Sequence, residues 1–202
     1  MTEKRYTLGK RVAVVGIIVN VVLTLFKLLA GFMANSAAMI ADAIHSASDI
    51  LATSVVAISF NVAQKPEDQE HPYGHEKAES IAAKLVAGLL LIAGLVIGWE
   101  ALKTLIHGDI QKPGIIALYA AIVSIITKEG LFWYTITAAN KINSTALKAD
   151  AWHHRSDAIS SIATLIGIGA ARMGFPVGDP IAALIVSLMI TKVAYDILKK
   201  SV

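Results

Sequence analysis

Ala41-Asp42-Ala43-Ile44-His45-Ser46-Ala47-Ser48-Asp49 decides the reading of this chain, because it recurs as Ala149-Asp150-Ala151-Trp152-His153-His154-Arg155-Ser156-Asp157. Both copies read Ala-Asp-Ala-x-His-x-x-Ser-Asp, and each sits early in a long apolar segment. Ionisable side chains inside a membrane span are costly, so they mark functional positions by default. Two matched sets have the form of two halves of one metal site.

The composition supports a membrane setting. Of the 202 residues, 55% are hydrophobic and only 16% are charged, with a mean hydropathy of +0.63. A soluble domain carries about a quarter charged residues. The absence of cysteine excludes disulfides and thiolate metal ligands, leaving His, Asp and Glu for metal chemistry. The polar, basic leader Met1–Arg11 precedes an apolar run too long for a signal peptide's core, which is read as a retained span.

Apolar stretches of about 20 residues cross a bilayer as helices. Six are expected, at 12–34, 37–63, 80–106, 114–139, 144–172 and 179–198, separated by Asn, Pro and Gly turn signals. No span alternates strictly, which argues against a β-barrel. The fold class is therefore an all-α membrane protein, a six-helix bundle made of two inverted three-helix halves. Lys4, Arg5, Lys10, Arg11, Lys65, Lys77, Lys84, Lys141, Lys148, Lys199 and Lys200 lie on one side, against Lys103, Lys112 and Arg172 on the other. The excess of positive charge marks the cytoplasmic side. Both termini are expected there, in a multi-pass protein of the cytoplasmic membrane.

An odd number of spans per half makes the halves run in opposite directions, a recurring transporter plan with its site near the midplane. His45 and His153 each lie nine residues past the serine of an Asn-Ser pair, Asn35-Ser36 and Asn143-Ser144. At 1.5 Å per residue this is about 14 Å of depth, close to half of a hydrocarbon core about 30 Å thick. His45 with Asp49, and His153 with Asp157, are each four apart and share a helix face. Two imidazoles and two carboxylates suit tetrahedral Zn²⁺; the same donors accept Co²⁺, Cd²⁺, Fe²⁺ or Mn²⁺. The alternative is a set of buried polar groups that stabilise helix packing. Asp42 and Asp150, one turn earlier, are candidates to orient the imidazoles, to line a pathway or to sit at a helix end. His154 and Arg155 are read as cavity wall or helix contact.

These motifs resemble the transmembrane domain of the cation diffusion facilitator family. The match at His45, Asp49, His153 and Asp157 runs position by position, and the resemblance extends through all six spans. It implies a homodimer that exchanges a cytosolic divalent metal for protons. It also implies zinc as the first choice of cargo, since a His-Asp/His-Asp site usually goes with zinc. The loop Pro66-Glu67-Asp68-Gln69-Glu70-His71-Pro72-Tyr73-Gly74-His75-Glu76-Lys77 resembles the family's second metal site. Asp68, His71 and His75 carry over as its ligands, the alternative being a solvated charged loop. The family commonly continues into a cytosolic ferredoxin-like domain. This chain is expected to be the transmembrane domain over 1–202 without it, which leaves the dimer surface and regulation open.

Asn20, Lys27, Glu100, Lys128 and Glu129 also fall inside spans. Structural pairing is expected for them, with Lys27 and Lys128 either snorkelling or meeting Glu100 or Glu129. Gly94-x-x-x-Gly98 permits close helix approach, within one subunit or between two.

The expected function is a divalent metal/proton antiporter that exports Zn²⁺ through the midplane site. No prosthetic group, enzymatic activity or nucleic-acid partner is expected. The metal is substrate, and protons and the lipid bilayer are the other partners. The alternatives are a non-transporting metal sensor or scaffold, efflux of Mn²⁺, Co²⁺, Cd²⁺ or Fe²⁺, and an intramembrane metallohydrolase. The last lacks a His-Glu-x-x-His helix: His75-Glu76 begins one, but position 79 is Glu.

Overall fold

Local sequence sets where each helix starts and stops. The computed structural model describes residues 2–63, 77–108 and 110–200. Among these residues the chain forms α1 (Thr2–Met33), α2 (Ala37–Ala63), α3 (Lys77–His107), α4 (Ile115–Ile142), α5 (Thr145–Arg172) and α6 (Gly178–Lys200), and no strand. The expected spans 12–34, 37–63, 80–106, 114–139, 144–172 and 179–198 fall on these helices in order. The largest difference is at the start of α1. The polar leader continues the helix, because Lys, Arg and Glu are good helix formers with no need of an apolar surrounding.

The joints repeat between halves. Asn35 (φ 47°) and Asn143 (φ 50°) both adopt the left-handed conformation, which asparagine tolerates better than most residues. Ser36 N–H donates to Gly31 O at 3.0 Å and Ser144 N–H donates to Ala139 O at 2.9 Å. Each serine then opens the next helix. Ser36 Oγ accepts from Met39 N–H at 3.1 Å, and Ser144 Oγ accepts from Leu147 N–H at 3.3 Å, the usual satisfaction of a free helix-start donor. Every one of these pairs is 108 positions apart, the offset that also relates His45 to His153.

The chain reverses at each joint, so both ends of the described bundle lie on one face. At the far face the joints are tied together. Ser36 Oγ donates to Asp179 Oδ1 at 2.6 Å, and Ala37 N–H donates to Asp179 Oδ2 at 2.8 Å. Gly114 N–H donates to Ala34 O at 2.8 Å, and Arg172 donates to Pro113 O at 2.7 Å. Asp179 begins α6 but caps α2, joining the two halves by a buried carboxylate at a helix N-terminus.

Alanine dominates the packing below this tie. Ala30, Ala34, Ala38, Ala117, Ala120, Ala121 and Ala182 are buried with Met39 and Ile168. Small residues let membrane helices approach closely where burial of greasy side chains gives no advantage over lipid. Gly94 and Gly98 follow the same rule: they face Thr191 and Ser187 of α6, so this motif packs α3 against α6 inside one chain. Among the described residues α1, α3, α4 and α6 each contain a stretch long and apolar enough to cross a membrane. Their outward surfaces carry Leu25, Leu89, Ile126 and Leu188. The polar helix α5 spans 28 residues, about 42 Å at the helical rise, and α2 and α5 pack against each other and against α6.

A side chain at Gly167 has no room, because a Cβ there would lie 2.3 Å from the Ala182 Cβ and 2.7 Å from Gly178 O. Gly167→Val should lower stability by about 1–3 kcal/mol, the range for overpacking. A lower thermal midpoint in detergent checks this; an unchanged midpoint would show that α5 and α6 separate freely.

Candidate metal centre

The site is built where α2 and α5 cross in opposite directions. The register is fixed by a polar layer in which Ser161 Oγ of α5 donates to Asp42 Oδ2 of α2 at 2.9 Å. One turn further along α2, His45 and Asp49 of α2 meet Asp157 of α5. One ligand atom from each of these three residues lies within 4.8 Å of the others. His45 and Asp157 are buried, at 7% and 5% exposure. His45 Nδ1 has no hydrogen-bond partner among the described residues. A buried imidazole grouped with two carboxylates is a donor set that a divalent cation would satisfy.

His153 stands apart from this cluster. Its Nδ1 is 3.9 Å from Asp157 Oδ1, and its side chain is 47% exposed. The structure thus brings three of the four midplane residues together and leaves the fourth on the rim. The loop residues Asp68, His71 and His75 lie outside the described residues.

A cavity of about 300 Å³ adjoins the cluster. Asp49, Asp157 and Lys128 line it at the deep end, and Ala13, Ser54 and Leu147 line it toward the face that carries both ends of the bundle. Asp150 and His153 stand at its exposed edge. His154 is buried in its wall, with Nε2 3.6 Å from Asp150 Oδ2. The ring lies beside Gly16, where a Cβ would sit in ordinary contact at 3.6 Å from Nε2. Asp150 therefore faces His154, and Asp42 is occupied elsewhere. Arg155 stacks over Phe132 at 4.6 Å and lies 3.9 Å from Glu129, a contact between α4 and α5.

The two intramembrane lysines pair with aspartates, which corrects the expectation of Glu100 or Glu129 as partners. Lys27 Nζ lies 2.8 Å from Asp42 Oδ2 and donates to Ser46 and Ser161 at 3.1 and 3.0 Å. Lys128 Nζ lies 2.6 Å from Asp157 Oδ2 and 2.8 Å from Asn20 Oδ1. Glu100 instead lies 4.0 Å from Lys103 on the exposed surface of α3. The aspartates win because they are equally deep: a buried ammonium needs an anion at its own level. The place of Lys128 beside the metal cluster was missed in the sequence, although a signal existed. Asn20 and Lys128 are separated by the same 108 positions as the two histidines.

Comparison with known proteins places this geometry. A profile described as the cation efflux transmembrane domain matches residues 13–202. The chain is 40% identical over 197 residues to metal tolerance protein C1 of Arabidopsis thaliana, covering 90% of this chain and 42% of that protein. It is 36% identical to magnetosome protein MamB of Paramagnetospirillum magneticum, covering 91% of this chain and 62% of the relative. It is 35% identical to the manganese efflux system protein MneP of Bacillus subtilis, covering 100% of this chain and 70% of the relative. The chain spans 42%, 54% and 65% of the length of three curated relatives that it matches.

Removing one partner of the Lys27–Asp42 pair leaves a buried charge alone. Lys27→Met should destabilise the protein by about 3–5 kcal/mol, and adding Asp42→Leu should recover most of that loss. Thermal midpoints of the single and double variants check this. Equal losses in both would mean that Ser46 and Ser161 satisfy Asp42 without the lysine.

Proposed function

We propose, from the premise that this chain belongs to the cation efflux family, that it forms the membrane pathway of a divalent-metal exporter. The observation that carries the reading is the cluster of His45, Asp49 and Asp157 beside a cavity between the two halves. His153, half exposed on the rim, completes a four-ligand set by turning inward over Asp157. Two carboxylates neutralise a divalent ion in a poorly polarisable surrounding, and two imidazoles complete a tetrahedral shell. Asp150 and His154 line the route to the site. With both ends of the bundle cytoplasmic, the cavity faces the cytosol and the Ser36–Asp179 tie closes the far side. This is the state that accepts cytosolic metal. Asp68, His71 and His75 act as a second metal site in the cytoplasmic loop.

Proton coupling follows from the ligand chemistry. An imidazole gives up its proton to bind metal, so a proton taken up on the far side favours release there. We assign Zn²⁺ as the cargo on the donor set, in a homodimer of the cytoplasmic membrane. A second reading, Mn²⁺, is favoured by the likeness to the manganese efflux system protein MneP, which matches along the whole of this chain. No catalytic role is assigned.

The test is metal flux into proteoliposomes under an imposed pH gradient. Wild type should move Zn²⁺ in response to the gradient. Asp49→Ala and Asp157→Ala should each reduce flux at least about tenfold, since even changes to outer partners of metal ligands cost about 10–100-fold. Faster Mn²⁺ than Zn²⁺ flux would select the second reading. Saturable binding without flux would replace the transporter by a sensor or scaffold. Flux untouched by both substitutions would remove the cluster from the pathway.

A further inference from the structure

We propose that Lys128 is a tethered cation that occupies Asp157 when no metal is bound and retreats onto Asn20 when a divalent metal enters. The proposal rests on the reading of His45, Asp49 and Asp157 as metal ligands. It assigns Lys128 a positioning role: it sets how tightly the site holds metal and how readily it lets go.

The two buried lysines differ in a way that separates a strut from a movable charge. Lys27 is 0% exposed and meets three acceptors, Asp42, Ser46 and Ser161. An ammonium has three donors, so this one is saturated and locked between α1, α2 and α5. Lys128 meets two acceptors among the described residues, Asp157 and Asn20. It also lines the cavity, which Lys27 does not. The long stem can therefore swing while its nitrogen keeps Asn20.

Charge makes the swing necessary. Lys128 Nζ lies 2.6 Å from Asp157 Oδ2. A metal bound to that carboxylate at about 2 Å would stand within a few ångström of the ammonium. Two cations that close repel strongly where water is scarce, so metal and Lys128 compete for Asp157. In the metal-free state the ammonium does the metal's electrostatic task for the facing carboxylates. When metal arrives, Asn20 Oδ1, already 2.8 Å from Nζ, offers a neutral acceptor on which the displaced charge rests. The symmetry of the halves fits this division. Asn20 and Lys128 occupy equivalent positions 108 residues apart, one a perch and the other the cation.

The experiment measures Zn²⁺ binding by equilibrium dialysis of the full chain in detergent, with thermal midpoints taken without and with Zn²⁺. The proteins are wild type, Lys128→Met, Lys128→Gln, Asn20→Leu and Asp49→Ala. Lys128→Met should bind Zn²⁺ at least tenfold tighter, melt at a lower temperature without metal and gain more from Zn²⁺ than wild type. Asn20→Leu should bind several-fold more weakly, because the displaced ammonium has lost its acceptor. Lys128→Gln keeps a neutral donor for Asp157; it should also bind tighter, and it carries the test where Lys128→Met does not fold. A folded lysine variant with unchanged or weaker Zn²⁺ binding would overturn the proposal and make Lys128 a strut like Lys27. With His71→Ala and His75→Ala added throughout to remove the loop site, undiminished binding in Asp49→Ala would instead overturn the metal-site reading itself, which keeps the two failures distinct.

Discussion

Asp49 and Asp157 face each other across the seam between α2 and α5, and the rest of the structure is arranged around that confrontation. Two carboxylates this close in a poorly hydrated interior repel unless a cation stands between or beside them. The bundle answers with Lys128 at 2.6 Å from Asp157 and with the His45 ring against both acids. It also leaves a cavity of about 300 Å³ beside the cluster. A site that held its cation permanently would need no such opening. A site meant to exchange cations needs the acids to stay unsatisfied enough to attract a new one.

The seam in turn demands small residues. Asp42, Ser46, Ser124 and Ser161 form a polar layer only because the helices around them pack on alanine and glycine. Above that layer Asp179 holds the start of α2 from the other half of the molecule. The far face thus combines a few directional bonds with a buried layer of alanines, Met39 and Ile168.

The element plan was legible because apolar length and turn chemistry are local. Asn35-Ser36 and Asn143-Ser144 announced two helix starts, and the structure gives both asparagines a positive φ. The pairing of His45 with Asp49 was legible for the same reason, as a four-residue spacing on one helix. What the sequence did not disclose was rotation. His153 and His154 are neighbours, and only the packing of α5 against α4, α6 and α2 decides that His154 turns inward while His153 stays on the rim. Partner choice was equally hidden. Lys128 is next to Glu129 in sequence, yet adjacent helical residues point a hundred degrees apart, so Lys128 faces Asp157 and Glu129 faces Arg155. The role of Asp179 lay furthest from view, since it joins residues 143 positions apart.

The inverted repeat is exact in its joints and broken in its charges, and the break is informative. A strictly symmetric pair of halves would place the same side chain at positions 20 and 128, and at 27 and 135. The chain instead carries Asn20 with Lys128, and Lys27 with Thr135. Each half therefore contributes one buried ammonium at a different depth. One is fully enclosed and ties α1 to α2 and α5; the other reaches the metal cluster from α4. Two lysines at the deeper pair of positions would oppose any divalent ion, and none would leave Asp157 unanswered in the empty state. One lysine facing one asparagine is the composition that permits both states. The departure from symmetry sits beside the candidate metal ligands, where the proposed exchange would need a cation to be held and then given up.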